Sequence, residues 1–165
     1  MYLQMSQGIG RCAHCRDLFR WFSIHEWPPK TRVLFLGGYT RPDNPHSLET
    51  LCLLFALKRA MPHSVFLLRG ASETRLLDVK GRFTRRIAVC IAEVAMKAYS
   101  QMPVAALIDG KVLCVHGGFG KKASGHLKTL DSISAIQRPL NQLQAKTLAS
   151  DIIFSSPTTI AARRS

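Results

Sequence analysis

Three short apolar runs, each closing on a glycine-led loop, limit what this chain can fold into. Arg32 to Leu36 ends on Gly37-Gly38, Ser64 to Leu68 leads through Arg69 to Gly70, and Lys111 to Val115 is followed by His116-Gly117-Gly118. Runs of that length bounded by glycine read as buried strands feeding loops. Between the first two, Ser47 is a suitable N-cap, Glu49 lies in the first turn, and the helix runs to about Ala60, before Pro62. Residues 75–101 read as helical with a break at Gly81, and Ile87, Ile91, Val94, Ala95 and Ala98 have the spacing of a core stripe. Val104 to Ile108 is a further strand, joined to the third run by Asp109-Gly110, a two-residue hairpin signal. Residues 16–23, 129–136 and 140–150 carry weaker helical patterns, and Trp27-Pro28-Pro29-Lys30 reads as a turn. Strands alternating with helices, then a hairpin, imply a mixed α/β sheet packed by helices.

Composition narrows the class. Hydrophobic residues make up 47% of the 165, which suits one globular domain. No apolar run reaches the roughly 18 residues of a membrane span. There are 23 Lys and Arg against 10 Asp and Glu, a net charge of +13. A field of that sign draws RNA, acidic proteins or anionic membrane, and the same surplus arises when acids are lost from particular positions. Five cysteines, an odd number, point to reduced thiols in an intracellular setting, cytoplasmic or nuclear. The N-terminus is basic and poor in acids before Asp17, as a mitochondrial targeting segment would be, but serine is scarce.

The strand-end loops are where α/β proteins place chemistry, and their sequences carry a resemblance. Leu34-Phe35-Leu36-Gly37, Ser47-Leu48-Glu49-Thr50-Leu51-Cys52-Leu53-Leu54, Val65-Phe66-Leu67-Leu68-Arg69-Gly70, Pro103-Val104-Ala105-Ala106-Leu107-Ile108-Asp109 and Cys114-Val115-His116-Gly117-Gly118 occur in this order. The chain resembles the metal-dependent Ser/Thr phosphoprotein phosphatases over residues 8–157. That implies the first half of a metallophosphoesterase-type β-sandwich flanked by helices, an incomplete α/β domain over residues 1–157 with a basic tail at 158–165.

The resemblance also implies a chemistry: two adjacent divalent metals, Mn, Fe or Zn, activating a water that attacks phosphorus. Such a site needs carboxylates, imidazoles and an amide. Aligned on the family's motifs, the chain has Gly10 and Cys12 at the first pair of ligands. Gly38 stands at the Asp that bridges the metals. Ala71 and Ser72 stand at the Asn ligand and the general-acid His. The Asp that follows in the motif falls on Arg41 and the phosphate-binding Arg on Pro42; a register slip in the loop would let Arg41 or Asp43 replace them, without restoring the bridging position. His116 alone keeps a ligand identity, as a vestige or as a loop histidine held by packing. Arg69, Glu73 and Arg41 are remnants near the phosphate position, and Arg69 with Glu73 can equally form a structural ion pair. The family pattern ends at Phe154-Ser155-Ser156-Pro157, so its second half does not follow.

Two function classes emerge. One is a pseudophosphatase serving as a binding or structural component, with no cofactor and with another protein or a large assembly covering the exposed half-sandwich. The other is a phosphoprotein phosphatase with residual or partner-completed activity, which would need the two metals. Minor motifs add little. Cys12-Ala13-His14-Cys15 is a single Cys-x-x-Cys without the second half of a zinc site. Arg75, Lys80, Arg82, Arg85 and Arg86, with Lys121, Lys122, Arg163 and Arg164, could meet RNA or phosphoproteins or form a solvated face.

Overall fold

The computed structural model describes residues 2–4, 15–41, 44–79, 81–119 and 129–156. Among these, Tyr2–Gln4 (β1), Val33–Phe35 (β2) and Val65–Leu67 (β3) form a parallel sheet in the order β1-β2-β3. The pairing sets Tyr2 beside Val33 and Val33 beside Val65. Cys15–His25 (α1) connects the first pair and Ser47–Ala60 (α2) the second. Two right-handed crossovers that advance in one direction put both helices on the same sheet face.

That face is closed by helices. Leu18 and Phe22 of α1 are one helical turn apart and fully buried. With Leu51 and Leu54 of α2, and Ala95 and Tyr99 of Arg85–Gln101 (α3), they cover Val33, Phe35, Val65 and Leu67. Lys58 fastens the end of α2 to the sheet: its Nζ donates to the Pro62 and Val65 carbonyls at 2.8 Å and sits 5.0 Å above the Phe66 ring. Burial lowers the Lys58 pKa, so those two carbonyls compensate a real desolvation.

The opposite face is thinner. Ala105–Ile108 (β4) and Val112–Val115 (β5) form an antiparallel hairpin. Its turn residues Asp109 and Gly110 both have positive φ, 51° and 68°, as a two-residue hairpin turn of the primed type requires. Cys114, Ala106 and Ile108 pack on Leu34, Leu36 and Leu68. A third cluster joins Val104 to Ile152 and Ile153 of Leu148–Phe154 (α5) and to Ile133 of Leu130–Ser134 (α4). Phe66, Leu107 and Val112 stay exposed on this side.

Four sequence expectations need correction. Ser47 is the first residue of α2, not its cap: its hydroxyl donates back to the Arg41 and Asn44 carbonyls, at 3.1 and 2.8 Å, and His46 precedes the helix. Residues 75–79 and 81–84 lie outside any α-helix; a 3-10 turn at Ser72–Thr74 is followed by extended backbone at Arg75, and α3 starts only at Arg85. Within α3 the expected stripe is split: Ala95 is buried and Ile91 packs against the core, whereas Ile87 and Val94 are 49% and 65% exposed and stay outside it. The last helix spans 148–154 rather than 140–150, because Thr147 caps it by accepting from the Ser150 N–H.

Candidate functional site

The loops that leave β2, β3 and β5 converge at one place, and a single buried carboxylate ties the first two. Glu73 is 0% exposed. Its Oε2 accepts from the Gly38 N–H at 2.8 Å and the Gly70 N–H at 3.0 Å. Its Oε1 accepts from the Tyr39 N–H at 2.8 Å, the Thr40 N–H at 3.1 Å, the Thr40 hydroxyl at 3.2 Å and the Ser72 hydroxyl at 3.1 Å. Four backbone amides and two hydroxyls account for the acceptor capacity of an ionised carboxylate, about four lone-pair sites, and more. Amide donors that would otherwise be orphaned in a buried turn are satisfied together, as buried backbone must be.

The glycines allow the loops to meet. Gly37 has φ +98°, and a Cβ there would lie 2.5 Å from both the Gly70 Cα and N. A Cβ on Gly70 would lie 2.6 Å from the Gly38 N, 2.8 Å from Glu73 Oε2 and 2.8 Å from the His116 Cε1. The three loops therefore touch through backbone, and His116 from the third loop stands against that contact. Gly117 is confined on its other side, where a Cβ would meet the Ile152, Ile153 and Ser155 carbonyls at the end of α5.

His116 Nδ1 lies 2.7 Å from the Leu36 carbonyl oxygen. A carbonyl only accepts, so Nδ1 carries the proton and Nε2 is left as the free lone pair of the neutral ring. Metal-bound histidines are oriented by this same kind of bond. The ring thus keeps a ligand's posture, with no co-ligands gathered around it among the described residues. Gly38 has no side chain, Ala71 packs into the cluster around Val104, Ile152 and Ile153, and Ser72 is engaged by Glu73.

Arg69 is 1% exposed, and its guanidinium is engaged by main-chain carbonyls. Its Nε donates to the Glu73 main-chain carbonyl at 3.2 Å, and its Nη1 donates to the Leu140 carbonyl at 2.6 Å. The expected ion pair is replaced by these carbonyl bonds, which fasten the β3 loop to the segment before α5. Burial lowers the Arg69 pKa, with the Glu73 charge opposing it. The Arg41 side chain is exposed, while its carbonyl accepts from the Asn44 N–H at 3.0 Å. Gly10 and Cys12 lie outside the described residues, as does the Cys12–Cys15 motif apart from the backbone of Cys15. Tyr99, below the Gly38–Thr40 loop, was not anticipated: burial pushes its phenol well above the usual range, the Thr40 hydroxyl opposes that, and the Glu73 charge adds to it. Its hydroxyl makes no hydrogen bond of acceptable geometry.

Do these residues fit a pair of metal ions? Among the described residues, no three His, Cys, Asp or Glu side chains gather where a cation could bind. His116 offers one nitrogen. Glu73, the carboxylate that ties the loops, already has both oxygens engaged by hydrogen bonds. The donor set does not fit a dinuclear centre, and no reaction step is derived through one.

A parallel sheet whose strand-end loops converge on one point, closed by a hairpin that carries His-Gly-Gly, defines the metallophosphoesterase architecture. Residues 9–164 match the calcineurin-like phosphoesterase family, and the chain belongs to it. Among solved structures, a protein serine/threonine phosphatase from Saccharomyces cerevisiae, described as similar to human phosphatase PP5, matches with a TM-score of 0.70 and 25% identity over 87% of this chain. The chain covers 45% of that phosphatase, less than half its length. The likeness agrees with an N-terminal portion of the phosphoprotein phosphatase fold.

Proposed function

We propose that this protein is a phosphatase-like binding or structural component that does not turn over phosphoesters. The observation that carries the reading is the occupied Glu73 carboxylate, with Gly38, Ala71 and Ser72 around it in place of ligands. In the family's chemistry the metals hold the loops together and also activate water. Here hydrogen bonds to one carboxylate supply the holding, and the described residues of the site offer no cluster of ligands that could hold a metal to lower the pKa of a water. Losing such a centre removes several kcal/mol of barrier lowering, on the order of 10³-fold or more in rate. The apolar side chains left exposed beside the hairpin, Phe66, Leu107 and Val112, support a role in assembly with another protein.

The test is to equilibrate the purified chain with Mn²⁺, Fe²⁺ or Zn²⁺, remove free metal, and measure bound metal and hydrolysis of a phosphoserine peptide. The expected result is less than one tightly held ion per chain and no turnover above buffer. Two ions per chain with phosphoserine hydrolysis would overturn the proposal. Gly38→Asp should not restore activity, since it supplies one ligand at a position with φ +84° that an L-residue adopts only with strain.

A further inference from the structure

Helix α3 carries two apolar stripes, and only one is used. Ala92, Ala95 and Tyr99 enter the core, with Ala88 and Ile91 packed against it. On the far side, Ile87, Cys90 and Val94 recur at the three- and four-residue spacing of a coiled-coil seam, and all three are exposed, Ile87 at 49% and Val94 at 65%. No other element among the described residues covers them.

The stripe is bordered by positive charge. By helical geometry Arg86 and Lys97 stand on one flank with Glu93 between them, and Arg85 opens the helix. From residue 75 to 101 the sequence holds Arg75, Lys80, Arg82, Arg85, Arg86 and Lys97 against Asp78 and Glu93, which is six minus two, or +4. Arg82 is held by both Glu49 oxygens. Arg75, Arg85, Arg86 and Lys97 form no ion pair among the described residues.

We propose that this face of α3 is a docking site for an acidic amphipathic helix of a partner protein. The partner's apolar side would seat on Ile87, Cys90 and Val94, and its flanking carboxylates would meet Arg86 and Lys97. An RNA ligand would match the cations but leave an aliphatic stripe without a stacking surface at its centre. A second copy would match the stripe but bring the same cations together across a two-fold axis, on a chain of +13. An acidic helix satisfies both features by a known mode of recognition. The surface lies away from the Glu73 loops, so the proposal holds whether or not the chain hydrolyses phosphoesters.

The probe is a synthetic helical peptide of about 20 residues with leucine at the seam positions and glutamate on both flanks. Thiol alkylation of the unmodified full chain, read peptide by peptide, should slow at Cys90 when the probe is added and stay constant at the exposed Cys52 of α2. Val94→Glu, or Arg86→Glu with Lys97→Glu, should weaken binding by roughly tenfold or more, the usual effect of removing an interface anchor. Raising salt from about 0.05 to 0.5 M should weaken it further, because the flanking pairs are solvent-screened. Unchanged Cys90 alkylation at saturating probe, or undiminished binding by Val94→Glu, would overturn the proposal. So would protection of Cys90 by a uridine-rich RNA oligonucleotide or by self-association in place of the peptide.

Discussion

The two faces of the β1-β2-β3 sheet are built to different standards. On the helix side, three helices bury Leu18, Phe22, Leu54, Tyr99 and the strand residues they cover to within a few per cent of complete exclusion. On the hairpin side, the buried set is Leu34, Leu36, Leu68 and Cys114, and neighbouring Phe66 remains 37% exposed. A sheet strand with a continuous buried run needs cover on both faces. Here one cover is complete and the other is partial, so most of the packing energy lies on the helix side. The strand-end loops belong to neither cover: they are fastened by hydrogen bonds to one carboxylate.

Substitutions can break this comparison. Phe22→Ala should have the largest effect, about 3–5 kcal/mol by urea unfolding, since Phe22 is fully buried in the larger cluster. Phe66→Ala, on the other face, should cost less, about 1–2 kcal/mol, for the side chain is already 37% exposed and loses part of its burial and one cation contact with Lys58. Equal costs for the two would show that the faces contribute alike. Glu73→Gln keeps the shape but removes the charge and turns an NH₂ group toward N–H donors. It should cost about 3 kcal/mol, and a change under about 1 kcal/mol would mean that the loops are held by packing instead.

A smaller effect is expected at the loop contact. Gly37→Ala forces a Cβ to within 2.5 Å of Gly70 at φ +98° and should cost about 2 kcal/mol, measured as a shift in the urea midpoint without change in slope. The smallest concerns pH. Arg82 first of all, then backbone hydrogen bonding, lowers the Glu49 pKa from 4.5 to about 2. A carboxyl lowered on folding stabilises the fold above its ordinary pKa, and that contribution fades as pH falls from about 4.5 through about 2. Its side chain is 38% exposed, so the contribution is under about 1 kcal/mol. Glu49→Gln should flatten the acid limb of the stability profile by that amount; a larger change would place unexpected weight on this surface pair.

The scaffold was readable because period and punctuation agree. Leu34, Leu68 and Cys114 fall in apolar runs that glycine ends, and Asp109-Gly110 makes the turn its chemistry demands. What misled was pattern without context. Ile87, Ile91, Val94 and Ala95 all have core spacing, but spacing cannot say which of them the sheet reaches: Ile91 and Ala95 pack against it, and Ile87 and Val94 do not. Ser47 is a good cap by type, yet the Asn44 and Arg41 carbonyls take its proton. That Gly38, Ala71 and Ser72 offer no carboxylate, imidazole or amide side chain could be seen in the residue types. The knot at Glu73 could not, because its donors are mostly backbone amides of residues 33–35 positions away, and a backbone N–H has no letter in the sequence.

That knot has a kinetic consequence. Surface loops normally exchange their amide hydrogens with solvent through small local openings. The amides of Gly38, Tyr39, Thr40 and Gly70 share one acceptor, so no single one can open without disturbing the rest. In deuterated water they should exchange as a group, at a rate close to that of the β2 and β3 cores. The most slowly labelled loops of this protein would then be the ones that, in a working phosphatase, stand closest to water.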